Sequence, residues 1–394
     1  MAIAETTDTI PRTHQLLAHA RALLAVMSSG ADTFEDCRER YGLTQRELDA
    51  QGVGRLTASR VREQDRNWSP TKDLLQEFAR WGAIEPRPLP SSRQFVDRYR
   101  DTRYPLTPLG EELAEAAAAS QARFADLVSD LLLAAHPYLR NLLRSLARDP
   151  ISVPELDERD LQRYLGPGRT MSALAAGLLD DFNLDLEPQT VEAELRKYWR
   201  RFRSRTSENP PTVKERLDAT NKALLVACFR AAGVPTDSET IRTLLRWGTQ
   251  LALYDLSRYV PGLIGRLTIW PCADIMEEAD KLSVRRRGLA EHGLKVGQAL
   301  VAAYEDQAFA DDSAMARPVI PVHLVRADAA YRIQVTRRLC DLVLSRMVDG
   351  HYAELGVQPA LYVGNTVPLP PSESPFKHHN QRRMALQINP KETA

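Results

Sequence analysis

Tyr104-Pro105-Leu106-Thr107-Pro108-Leu109-Gly110-Glu111-Glu112-Leu113-Ala114 is the stretch whose reading decides the fold. Thr107 caps a helix, because its hydroxyl satisfies a free backbone N–H of the first turn. Leu109 and Leu113 fall one turn apart and face inward, and Gly110, lacking a Cβ, lets another segment approach closely.

Upstream, Ser69-Pro70 predicts a second helix start. Leu74, Leu75, Phe78 and Trp81 then form one buried stripe, which leaves Thr71, Lys72 and Gln76 pointing outward. Gly82 ends this helix. Ile84, Arg87 and Leu89, followed by Arg98, Arg100, Arg103 and Leu106, predict two strands around a polar tip at Pro90-Ser91-Ser92. Farther upstream, Leu16, Leu17, Ala20, Leu23, Leu24 and Met27 give a helix from about Pro11 to Ser29. Thr44-Gln45-Arg46-Glu47 has capping-box spacing, and a short helix is expected over Thr57–Arg66.

Helix, hairpin and the closing Tyr-x-Leu-Thr-x-x-Gly-x-x-Leu-Ala motif resemble the winged helix-turn-helix domains of bacterial regulators of the MarR and PadR type, over about residues 11–118. The Thr57–Arg66 helix is additional to that pattern, and the hairpin is longer than a minimal wing. The resemblance implies double-stranded DNA as partner. It places Ser69, Thr71, Lys72 and Gln76 at the major groove, and Arg93, Arg98 and Arg100 where a wing meets the adjacent backbone, with Arg103 close behind.

Charge placement agrees. The chain balances 52 basic against 52 acidic residues, so no global field draws it to a polyanion. Between Arg55 and Arg103, however, eleven basic residues face seven acidic ones, a local net of +4, and such cations supply most non-specific DNA affinity.

At 394 residues the chain has room for two or three domains. The reading divides it into a winged helix-turn-helix (1–118), a helical domain with a basic helix (119–206), a second helical domain (207–350) and an irregular tail (351–394). The fold class is mainly α, with a few short strands after the winged helix. Pro137 interrupts the helical pattern from Gly110 to about Asp149, a candidate for self-association as a homodimer.

After Pro188, the positions 196–205 hold six basic residues and three aromatics. Leu195, Tyr198, Trp199 and Phe202 share one helical face, while Arg196, Arg200 and Arg203 line another, a candidate second contact with phosphates. Leu263–Trp270 fits either a short strand or a buried helix. Pro318–Val325 suits a strand, and Ala329–Val348 a single helix.

Other chemistries find little footing. Cys37, Cys228, Cys272 and Cys340 form no Cys-x-x-Cys pair, and the two in apolar helical stretches, Cys228 and Cys340, read as core. Gly166-Pro167-Gly168-Arg169-Thr170 lacks the lysine of a phosphate loop, and no cofactor is implied. In the cluster Asp274, Glu277, Glu278 and Asp280, the first three fall on one side if helical, which suggests a metal-dependent nuclease, but Arg285, Arg286 and Arg287 follow closely. His378 and His379 are adjacent in an expected extended tail and would point oppositely, which suits chelation poorly. No apolar run approaches a membrane span, and Met1–Thr9 lacks a secretory pattern, so a cytoplasmic location is expected.

The sequence therefore predicts a non-catalytic DNA-binding protein: a subunit of a bacterial DNA-transaction or anti-phage defence complex, or a transcriptional regulator. The alternative is a winged-helix adaptor or scaffold subunit of a chromosome-organising complex.

Overall fold

In the computed structural model, which describes residues 16–41, 68–90, 93–164, 170–202, 210–278, 281–309, 317–363, 376–379 and 381–391, Thr107 does cap a helix. Its hydroxyl accepts from the Gly110 N–H (3.2 Å) and donates to the Gly82 carbonyl (2.7 Å). Helix α4 (Pro108–Ala119) starts there. Gly110 sits against the chain leaving the preceding helix: a Cβ on it would lie 2.1 Å from the Ala83 carbonyl oxygen. Leu113 is fully buried. The expected helix starting at Thr44 and the one over Thr57–Arg66 lie outside the described residues, as does the turn at Gly166–Arg169.

The chain forms two compact units. The first comprises Met1–Arg140, Glu239–Leu251 and Met276–Val284; the second comprises the remainder. In the first, α1 (Leu16–Ser28) packs on α4 and on α3 (Trp68–Trp81), while α5 (Gln121–Ala135) covers both α3 and α4. A helix α2 covers 34–41. Leu23, Phe34, Leu74, Phe78, Leu113 and Phe124 are fully buried at its centre. Pro137 opens α6 (Pro137–Arg148), so the break expected there is present.

No ladder forms between Ile84 and Leu106 among the described residues. Two isolated antiparallel bridges, Ile84–Leu106 and Thr33–Arg103, replace the expected hairpin, and Arg93–Tyr99 is a 3-10 helix. Pro86, Pro88 and Pro90 explain this: three alternate residues lack the N–H that a strand edge would donate. The returning segment is tied down instead by α2. The free N–H groups of Phe34 and Glu35, in its first turn, donate to the Thr102 (3.0 Å) and Arg100 (3.2 Å) carbonyls. Tyr104 is buried edge-on to Phe34 and donates to the Pro88 carbonyl (2.7 Å).

The second unit has two cores. One gathers α7 (Glu158–Tyr164), α8 (Met171–Asp181), α9 (Pro188–Trp199) and α10 (Val213–Ala231) around Leu161, Leu174, Leu178, Val191, Leu195 and Leu224. Strands β1 (Ile151–Pro154), β2 (Tyr254–Ser257) and β3 (Arg266–Pro271) form an antiparallel sheet in the order β1-β3-β2, which resolves the 263–270 ambiguity in favour of a strand. The other core packs α12 (Leu289–Ala308), α13 (Val322–Arg332) and α14 (Arg337–Val348) with the C-terminal strands. The helix α11 (Ser238–Gln250) precedes β2.

Three readings of the C-terminal half are corrected. Residues 329–348 are not one helix: α13 ends and α14 begins around a turn in which Gln334 has φ +54°. The acidic cluster is not helical over its described residues, because β4 (Ala273–Glu278) pairs with β5 (Lys281–Arg286). Nor are the described residues of the tail all irregular: β6 (Ile320–Pro321), β7 (Val357–Tyr362) and β10 (Ala385–Pro390) make a sheet in the order β6-β10-β7, and β8 (Phe376–His378) pairs with β9 (Gln381–Arg383). All four cysteines are free and buried. No helix among the described residues is long and apolar enough to cross a membrane.

Two outcomes follow from the first unit. Alanine has higher helix propensity than glycine, yet Gly110→Ala should lower stability by about 1–3 kcal/mol in a denaturant titration, because the clash is with backbone. Burial lowers the pKa of His19, hydrogen-bonded through Nδ1 to the Tyr41 hydroxyl (2.7 Å), from 6.5 to about 4. The unfolded chain takes up that proton first as pH falls, so this contribution is complete above 6.5 and is lost progressively down to about 4. Over that window the loss is about 3 kcal/mol, and His19→Leu should flatten the acid limb of a stability-versus-pH curve.

Candidate nucleic-acid interface

Helix α3 offers less surface than its sequence promised. Thr71 is fully buried rather than outward: it precedes Leu74, Leu75 and Phe78 by three, four and seven residues, which puts it on their stripe. Lys72 is half-buried with its ammonium 3.6 Å from Asp73, and Gln76 is half-buried as well. Ser69 falls in the first turn, and its side chain lies outside the described residues. From Thr71 to Trp81 every residue of α3 is buried or half-buried.

The reason lies on the side of α3 facing α5. Glu77 is buried and accepts from Arg80 (2.7 Å) and from His136 Nε2 (2.8 Å), the residue between α5 and α6. The His136 ring stands edge-on to Trp247 of α11 at 5.4 Å. Contacts 59 residues apart leave no local signature, so sequence reading left Glu77 unassigned.

The segment after α3 behaves differently. Arg98, Arg100 and Arg103 are all exposed, the last two at 59% and 76% of their side chains. Arg100 stands 3.7 Å from Glu35 and Arg103 3.6 Å from Asp32, beyond ordinary hydrogen-bond length. Both guanidiniums are exposed, and the mostly buried Glu35 is already bound by Arg38 at 2.5 and 3.0 Å; pairs this long with an exposed partner are worth ~0–1 kcal/mol, so either guanidinium can leave its carboxylate for a phosphate. Arg87 pairs with Glu85 at 2.6 Å. Arg93 opens the 3-10 helix, and its side chain lies outside the described residues.

In the second unit, the cations of α9 are engaged with neighbouring acids. Arg196 binds Glu192 one turn back, Lys197 stands 3.5 Å from Glu194, and Arg230 donates to the same buried Glu194 at 2.7 Å. Arg201 reaches Asp218 (3.3 Å) and the Glu215 carbonyl (3.0 Å) on α10. Arg200 is exposed, and Arg203 lies outside the described residues. The broad cationic side is thus partly taken up by pairs within α9 (Arg196, Lys197) and partly by ties to α10 (Arg230 with Glu194, and Arg201), while Leu195, Tyr198 and Trp199 pack inward as expected.

The proposed nuclease cluster is not assembled by the described atoms. Asp274 accepts from Arg287 at 2.8 and 3.1 Å, and the side chains of Glu278 and Asp280 lie outside the described residues. No family model, curated protein or solved structure matches the chain.

Proposed function

We propose that the protein is a duplex-DNA-binding, non-catalytic subunit of a larger DNA-transacting assembly, and that it grips the phosphate backbone through Arg98, Arg100 and Arg103 rather than reading bases with α3. The observation that carries this reading is the segment 84–106. It leaves α3, returns to bridge Thr33 and Ile84, enters α4, and leaves Arg98, Arg100 and Arg103 exposed. A winged helix orders its parts in the same way, with its last strand lying between the other two. Phosphate contacts position a protein on a duplex without carrying sequence information, which suits a presenting segment that is cationic and a helix that is covered.

A second reading, the adaptor, is favoured by the burial of α3: a winged-helix order used as a packing module needs no free recognition helix. Fluorescence anisotropy of the whole chain on two unrelated duplexes separates the two. Backbone binding predicts equal affinities and a log–log salt slope of about −3 for three neutralised phosphates. Replacing all three arginines together (Arg98→Gln, Arg100→Gln, Arg103→Gln) should cost at least tenfold, whereas Lys72→Gln should change affinity by less than threefold. Binding indifferent to salt and to the triple replacement would refute the DNA reading and leave the adaptor.

A further inference from the structure

We infer that Asp349, His378 and His379 form a binding site for one zinc-class divalent metal ion, which clasps the β8–β9 hairpin to the end of α14. The site goes beyond DNA binding and does not depend on it. Among the described residues, these three place one ligand atom each within 4.8 Å of the others. His379 Nε2 is 3.3 Å and His378 Nε2 3.6 Å from the same Asp349 carboxylate oxygen. Zinc held at about 2.0–2.1 Å by nitrogen and oxygen in tetrahedral geometry separates its ligand atoms by roughly 3.3 Å, so only a small closing movement of the rings is needed.

The backbone explains how two adjacent histidines come to serve one ion. In a continuous strand their side chains would point to opposite faces. His378 ends β8 and pairs with Gln381, so His379 is the first residue of a two-residue loop and has φ +46°. Positive φ is what such hairpin loops require, and here it turns the second ring back to the first, with centroids 4.1 Å apart.

A partner behind the ligands is also in place. Ser345 Oγ is 2.8 Å from His378 Nδ1, one helical turn before Asp349, so Ser345 of α14 and Asp349 just past its end address the two nitrogens of one buried ring. With the proton on Nδ1, donated to the Ser345 hydroxyl oxygen, the Nε2 lone pair is left for a metal, the usual arrangement behind a ligating histidine. Two imidazoles and one carboxylate suit zinc and its neighbours better than magnesium, which demands oxygen ligands. His379 is 74% exposed, so the fourth position faces solvent and takes a water.

Arg383 opposes a cation here, since its charge acts on His378; its guanidinium donates to Gln381 at 2.6 Å. The test is a calorimetric titration of the metal-stripped whole chain with Zn2+, repeated with Mg2+, and a Co2+ absorption spectrum. One Zn2+ per chain, no Mg2+ binding and the intense visible bands of four-coordinate Co2+ are expected. His379→Ala lies on the surface and leaves the fold intact, and Asp349→Ala removes the shared carboxylate. Each should weaken Zn2+ at least tenfold, and Ser345→Ala should weaken it less. Zn2+ should also slow proteolysis of the hairpin in the parent chain but not in His379→Ala. Absence of stoichiometric Zn2+ binding, equal binding of Mg2+, or affinity unchanged in both His379→Ala and Asp349→Ala would overturn the assignment.

Discussion

The contact between Gly110 and the Ala83 carbonyl governs the first unit. It brings the chain leaving α3 and the chain entering α4 to a separation that admits no side chain. Thr107 locks the same junction from its other side through Gly82, and the Thr107 N–H donates to Ala83 at 3.0 Å. Everything between Ile84 and Leu106 is therefore a closed excursion with fixed ends. Its prolines forbid a ladder, so the excursion folds back on the N-terminus of α2, where free backbone donors take up its carbonyls. The arginines face outward because their backbone is held from behind.

A comparable tie organises the second unit. Asp255, nearly buried on β2, accepts the backbone N–H of Arg337 (2.7 Å) and also its guanidinium (3.1–3.3 Å). Trp270 of β3 donates to the Val335 carbonyl (2.8 Å). Both bonds end at the turn between α13 and α14, so the sheet and the helices meet where the chain reverses. Removing one member of a buried charged pair leaves the other uncompensated, which makes this junction sensitive to substitution. Deeper in the helices, burial pushes the Asp341 carboxyl up to about 6 even though Arg326 lies 3.1 Å away.

Features with short-range causes were legible in the sequence. Thr107, Gly110 and Leu113 act within one turn of each other, and the breaks at Pro137 and Gly82 came from single residues. The prolines at 86, 88 and 90 carried their own evidence against a hairpin, as did the i, i+3, i+4, i+7 placement of Thr71 against an outward position. Helix α12 was missed because Gly293 and Gly297 resemble breakers; they instead admit Tyr352 and Leu355, to whose side chains a Cβ would come within 2.3 and 2.7 Å. The sheet of β6, β7 and β10 joins segments far apart in the chain, and β6, with two residues, is too short for a period. The rings of His378 and His379 meet rather than point oppositely, because alternation holds along a strand and fails at its turn.

The weakness of exposed ion pairs is what gives the account its function. Arg100 faces a Glu35 carboxylate already bound by Arg38, and Arg103 an exposed Asp32, so neither is held tightly; on the proposed reading a duplex offers a denser array of anions together with counterion release. Hydrogen–deuterium exchange of the whole chain with and without saturating duplex tests this most directly. The account predicts slowed exchange over 93–106, where the segment is pinned against phosphates, with 71–81 of α3 unchanged. Slowing on α3 while 93–106 stays the same, or no slowing in either, would contradict it.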